Sequence, residues 1–101
     1  MNQALIELER LIGWFSLAPY SIQGDIWELK NDSEDEPIDV PIFYGDTPEM
    51  VVYYALNSIK NGLEILCPNC DKTTKPARIE IGIRKSGFCL HCLTAWEIIY
   101  K

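Results

Sequence analysis

Cys67-Pro68-Asn69-Cys70, followed after eighteen residues by Cys89-Leu90-His91-Cys92, holds all four cysteines of this 101-residue chain. Two C-x2-C pairs at this separation predict a tetrahedral zinc site, because each short pair presents two thiolates from one tight turn. Three other chemistries compete for the same thiols. A thioredoxin-like redox pair opens a helix, whereas Asp71-Lys72-Thr73-Thr74-Lys75-Pro76 follows here, and Pro76 with the threonine pair does not begin one. Two structural disulfides suit a secreted chain, and the first residues read without the basic region, apolar core and cleavage site of a signal peptide. Iron fits four thiolates as zinc does, so the sequence leaves the metal open between these two. Four cysteines close the coordination sphere, which leaves no position for water or substrate and predicts a structural role.

Outward from the cysteines, residues 63–66 read as a short strand leading into the first pair. Residues 78–84 alternate, with Ile79, Ile81 and Ile83 on one face and Arg78, Glu80, Gly82 and Arg84 on the other. Lys85-Ser86-Gly87 reads as the turn that follows, and residues 95–100 as a last strand with Trp96, Ile98 and Tyr100 facing one way.

With both C-x2-C knuckles and a β-hairpin over residues 78–88 between them, residues 64–101 resemble a zinc ribbon. The resemblance implies two knuckles clamped by one zinc at the end of a small antiparallel sheet, with Cys67, Cys70, Cys89 and Cys92 as ligands and each thiolate accepting backbone N–H groups. Many ribbons carry glycine directly after the second cysteine of a knuckle, where a left-handed residue eases the turn. Asp71 and Leu93 occupy those places in this chain. Residues 1–63 carry no such resemblance.

The first residues predict a helix over 3–17, with Asn2 as a possible cap and Ala18-Pro19 as the stop. Leu5, Leu8, Ile12 and Phe15, flanked by Ala4 and Leu11, form its core stripe. A second line, Ile6, Arg10, Trp14 and Leu17, falls on another side. It is either covered by the next segment or forms a partner-binding surface anchored by Trp14, since Trp and Arg are enriched at interface hot spots. Ser21-Ile22-Gln23 and residues 25–29 read as short strands broken at Gly24, and Ile38-Asp39-Val40 resumes the alternation. Between them Asn31-Asp32-Ser33-Glu34-Asp35-Glu36-Pro37 reads as a solvated loop, with Glu34, Asp35 and Glu36 as the competing candidate for an acidic protein contact. Asp46-Thr47-Pro48-Glu49 starts a second helix that Asn61-Gly62 stops, with Val52, Ala55, Leu56 and Ile59 on its core face.

These elements predict an α+β chain, in which two amphipathic helices and short strands pack on a C-terminal antiparallel zinc ribbon. Residues 1–63 form an acidic helical and mixed body and residues 64–101 the ribbon, together one compact unit. No run approaches the ~20 apolar residues of a membrane span, and the expected location is intracellular and cytoplasmic.

Charge then weighs on function. Residues 1–66 hold twelve acids and three bases, residues 67–101 three acids and six bases, for a total of −6. Four bound thiolates with Zn²⁺ would add −4 + 2 = −2, which leaves the ribbon at about +1. His91, the one histidine, reads as a surface residue, and no His pair, phosphate loop or catalytic carboxylate pair is evident. The expected function is therefore non-enzymatic: an adaptor, accessory subunit or inhibitor that binds another protein, with no small-molecule substrate. If that partner processes nucleic acid, the acidic body is suited to imitate DNA. The alternative is nucleic-acid binding of the transcription or replication kind through Lys72, Lys75, Arg78, Arg84 and Lys85, in which Glu80 interrupts the basic stripe.

Overall fold

The computed structural model describes residues 2–32 and 40–100. The candidate acidic contact at Glu34, Asp35 and Glu36, and Ile38 and Asp39 of the proposed strand, lie outside the described residues. Helix α1 runs Asn2–Ile12 and buries Ala4, Leu8 and Ile12. It stops earlier than the sequence suggests. Gly13 turns left-handed at φ 79°, and its N–H closes on the Glu9 carbonyl at 2.8 Å, which is the geometry of a glycine helix stop. The chain then changes period from helix to strand. Phe15–Pro19 is β1, whose Leu17 pairs with Leu29 of β2, Trp27–Asn31, across an antiparallel ladder. Residues 20–26 connect the two as a tight loop, with Tyr20 N–H bonded to the Ile26 carbonyl at 2.7 Å. Ser21-Ile22-Gln23 is thus a turn rather than a strand.

Strand β3, Ile42–Gly45, pairs antiparallel with β2 and leads to helix α2, Pro48–Lys60. Thr47 caps α2, its hydroxyl accepting the Met50 N–H at 3.1 Å, and Pro48 opens the first turn. Val51, Val52, Ala55 and Leu56 face inward, and Tyr54 packs edge-on against Phe43 at 6.4 Å. Short strands β4, Ile65–Leu66, and β5, Thr73–Thr74, pair with each other around the first cysteine pair. The hairpin β6, Pro76–Glu80, and β7, Arg84–Cys89, follows, and β8, Thr94–Ile99, completes the chain's elements.

The turn of that hairpin is Ile81-Gly82-Ile83, with Gly82 at φ 78°, whereas Lys85, Ser86 and Gly87 lie within β7. Residues 78–84 are therefore not one strand. Arg84 folds back opposite Glu80 instead of continuing beyond it.

One six-stranded sheet, ordered β1-β2-β3-β6-β7-β8, runs through the molecule. All its pairings are antiparallel except β3 with β6, which sets Phe43 beside Ile79. Parallel neighbours need a crossover connection, supplied here by α2 and the β4–β5 pair. Helices α1 and α2 pack on each other, and α2 covers β2 and β3. Beneath them lies the main core of Leu8, Ile12, Leu29, Phe43, Val51, Val52 and Ile79, all at most 2% exposed. The overall class is α+β, with two helices and a mostly antiparallel sheet.

Candidate metal centre

The four cysteines come from two places that the sheet brings together. Cys67 and Cys70 sit in the β4–β5 turn, inside the crossover, while Cys89 ends β7 and Cys92 lies in the turn to β8. Their Sγ atoms all lie within 4.8 Å of one another. Cys67 Sγ is 3.8 Å from Cys92 Sγ, and Cys70 Sγ is 3.7 Å from Cys89 Sγ. A disulfide would bring two sulfurs to ~2.05 Å, so these are free thiols. A tetrahedron with metal–sulfur bonds of ~2.3 Å has edges of about 3.8 Å, and the observed separations match that figure. The group can coordinate one metal ion.

Backbone N–H groups point at the sulfurs, as charge-assisted donors to thiolates do. Asn69 N–H donates to Cys67 Sγ at 3.4 Å. The Cys92 N–H, and after it the His91 N–H, draw the Cys89 thiol down to about 6 against the opposing effect of burial. Cys70 receives the Lys72 N–H, which lowers it, but burial and the three neighbouring sulfurs outweigh that donor and push it up to about 12. Without a cation the four sulfurs cannot all ionise, because like charges this close oppose one another. A divalent metal removes that opposition.

Asp71 and Leu93, the residues that take the place of the usual knuckle glycines, adopt φ 60° and 55°. They are the only non-glycine residues at positive φ among those described. The knuckle geometry thus holds without glycine, at a local backbone cost of roughly 1–2 kcal/mol per residue. A small second core surrounds the site: Cys67, Cys89 and Trp96 are buried, with Ile65 and Ile98 against them. Trp96 could be read from β8 alternation, but its tight seat could not. A Cβ at Gly87 would stand 2.8 Å from Trp96 Cζ2. Trp96 Nε1 is also the one buried side-chain nitrogen or oxygen without a hydrogen-bond partner among the described residues.

The other candidate residues are distributed differently from the sequence expectation. Ile6 and Arg10 remain exposed on α1, Trp14 follows Gly13 with 76% of its surface open, and Leu17 turns into the main core from β1. These four do not share one helical face. The five bases also separate. Arg78 and Arg84 point from the sheet face away from the helices, whereas Lys85, paired with Ile79, points from the helix-bearing face. Arg84 is held by Glu80 at 2.8 Å and Glu97 at 3.1 Å. Lys72 and Lys75 are exposed beside the first knuckle. His91 is exposed between two cysteines.

No helix among the described residues is long and apolar enough to cross a membrane. Comparison with protein families, curated proteins and solved structures finds nothing that matches this chain.

Proposed function

We propose that the chain is a non-enzymatic protein-binding module, an adaptor, accessory subunit or inhibitor, whose C-terminal part is a zinc ribbon holding one structural Zn²⁺. The four-thiolate set supports the metal reading, since it fills a tetrahedral sphere and offers no position for substrate. Cys67, Cys70, Cys89 and Cys92 would hold the ion, which would supply a cross-link between the crossover and the β7–β8 turn. It has no catalytic part in this reading.

The observation that carries protein binding is Trp14, a large aromatic left 76% exposed beside the edge strand β1. Ile6 on α1, and Ile22 in the β1–β2 loop at the far end of β1 from Trp14, are also exposed. Trp is among the residues enriched at interface hot spots. The excess of acids in residues 1–66 favours a basic partner surface, such as the groove of an enzyme that acts on nucleic acid.

The test is Trp14→Ala with the metal in place. Quantitative affinity purification should show loss of the partners held by the unaltered chain, with the melting temperature unchanged. A fall in melting temperature with partners retained would place Trp14 in the fold instead. Metal content by mass spectrometry of the native chain should show one zinc per chain, and iron in its place would overturn that part.

A further inference from the structure

The six-stranded sheet ends in β1 on one side and β8 on the other, and the two edges differ. The bond from the Tyr100 N–H to the Ile83 carbonyl, at 2.8 Å, fixes the phase of the last ladder. Thr94, Trp96 and Ile98 therefore turn their backbone groups toward β7. Ala95, Glu97 and Ile99 turn theirs outward, where no strand among the described residues pairs with them. At the opposite edge the Tyr20 and Asp32 N–H bonds set the phase in the same way, so Phe15, Leu17 and Pro19 face outward from β1. Pro19 has no N–H to give, and proline is one of the devices that blunt an edge. Strand β8 carries neither proline nor lysine, and its far end is apolar, with Ile99 62% and Tyr100 46% exposed.

Charge separates the edges too. The twelve acids and three bases of residues 1–66 make that half repel another copy of itself. Beside β8 the charges are compensated: Arg84 is bonded to Glu80 and Glu97, and Lys85 lies over the Tyr100 ring at 5.8 Å. Two copies that meet at β8 keep their acidic halves at opposite ends of one sheet. Antiparallel pairing of β8 with itself keeps the sheet faces aligned when centred on Trp96, Glu97 or Ile98. Glu97 at the centre would set two carboxylates directly opposite each other. Trp96 at the centre would set Ile99 against Leu93, whose φ of 55° is not extended. Ile98 at the centre sets Glu97 opposite Ile99 and Trp96 opposite Tyr100 of the second copy, with no like charges facing. Each Glu97–Ile99 pair then exchanges two backbone hydrogen bonds.

We infer that β8 pairs antiparallel with β8 of a second copy of this chain, about a two-fold axis at Ile98, so that six strands from each copy form one continuous sheet. Such a contact uses the same edge twice and closes at the dimer. Pairing of β8 with β1 would instead run head to tail and leave a free edge at every step, and Pro19 opposes it. A six-residue strand is about 20 Å long, and its edge with the flanking side chains covers less than the ~800 Å² per partner of a standard interface. Dissociation is therefore expected in the micromolar range. This contact is separate from Trp14 and does not depend on the protein-binding reading above.

The test is sedimentation equilibrium of the full, metal-loaded chain over about 1 to 500 μM. The mass should rise with concentration from that of one chain toward that of two. Ile99→Pro removes an outward N–H and spares the ladder with β7, so it should hold the chain at the single mass with its metal content unchanged. Two charge variants read the same contact without altering the backbone. Ile99→Glu faces Glu97 of the second copy and Ile99→Lys offers it a partner, so their dissociation constants should differ about tenfold, with Ile99→Glu the weaker. Loss of apolar contact alone would treat the two alike. Residue-resolved amide exchange at Glu97 and Ile99 should slow as concentration rises. Trp14→Ala should leave the dimer intact. A single mass at every concentration, a dimer that survives Ile99→Pro, equal effects of the two charge variants, dispersal by Trp14→Ala, or a mass that climbs past two chains would each overturn the proposal.

Discussion

Beneath α1 and α2 ten described residues are buried in one apolar cluster, from Ala4 to Ile79, whereas the apolar cluster at the cysteine end has Cys67, Cys89 and Trp96 as its buried members. The two ends of the same sheet therefore differ in how much apolar burial supports them. One end has enough apolar area, worth ~25 cal/mol per Å² removed from water, to hold helices against strands. The other has one Trp and sulfur, which is little area for five strands, two of them only two residues long. In small modules a cross-link takes the place of a core that cannot be built. If the four thiols hold a metal ion as proposed, they would supply order where apolar burial is scarce.

Metal removal should test this contrast most strongly. Loaded four-thiolate sites show apparent binding free energies of ~10–16 kcal/mol. A chelator should abolish amide protection in β7 and β8 while α1 and α2 retain theirs, as read by hydrogen exchange. Simultaneous loss throughout would show that both ends unfold as one unit. Acid should act in the same direction. The Cys89 thiol is depressed to about 6, so its thiolate persists above that value and is lost as pH falls through it. Metal release is therefore expected on acidification, as protons compete with the ion for the thiolates, and not on moderate alkalinisation.

Leu8→Ala should come next, costing ~2–5 kcal/mol in chemical denaturation, because Leu8 is fully buried beneath the helices. Metal affinity should be unaltered, and a parallel fall would mean the ends are coupled. Gly87→Ala should cost about 1–3 kcal/mol through overpacking, since the added carbon meets Trp96 and, at 3.0 Å, the Lys75 carbonyl oxygen. Its effect should appear in the thermal melt of the loaded chain. The smallest change is expected from Leu93→Gly. Relief of a left-handed leucine, ~1 kcal/mol, is partly offset by the greater freedom of unfolded glycine. A modest gain in metal affinity is expected, and a loss would assign a packing role to the exposed Leu93 side chain.

Much of the site was legible from spacing alone, because thiolate pairs in tight turns leave a local signature in Cys67, Cys70, Cys89 and Cys92. Helix α2 was legible for a similar reason, with Thr47-Pro48 at one end and Asn61-Gly62 at the other acting over a few residues. Two local readings failed where one pattern fits two periods. Ile12 and Phe15 are three apart and suit a helix, yet Phe15 and Leu17 equally suit a strand, and Gly13 decides between them. Ile79, Ile81 and Ile83 suit one long strand, but Gly82 turns the chain and the Arg84 pairs with Glu80 and Glu97 draw β7 back. The parallel union of β3 with β6 had no local signal. It joins residues that lie more than thirty positions apart, such as Ile42 and Arg78, and depends on the whole crossover.

That union has a consequence for the chain during synthesis or metal shortage. Until β6 docks, β3 presents the backbone groups of Ile42, Phe43 and Tyr44 along an uncovered apolar edge, a template for pairing with other chains. Non-local parallel pairing is slow to form, which lengthens the exposure. By tying the crossover to the β7–β8 turn, a bound ion would shorten the search that brings β6 home. The four thiols would then serve solubility as well as shape, and aggregation of metal-starved chains should begin at β3.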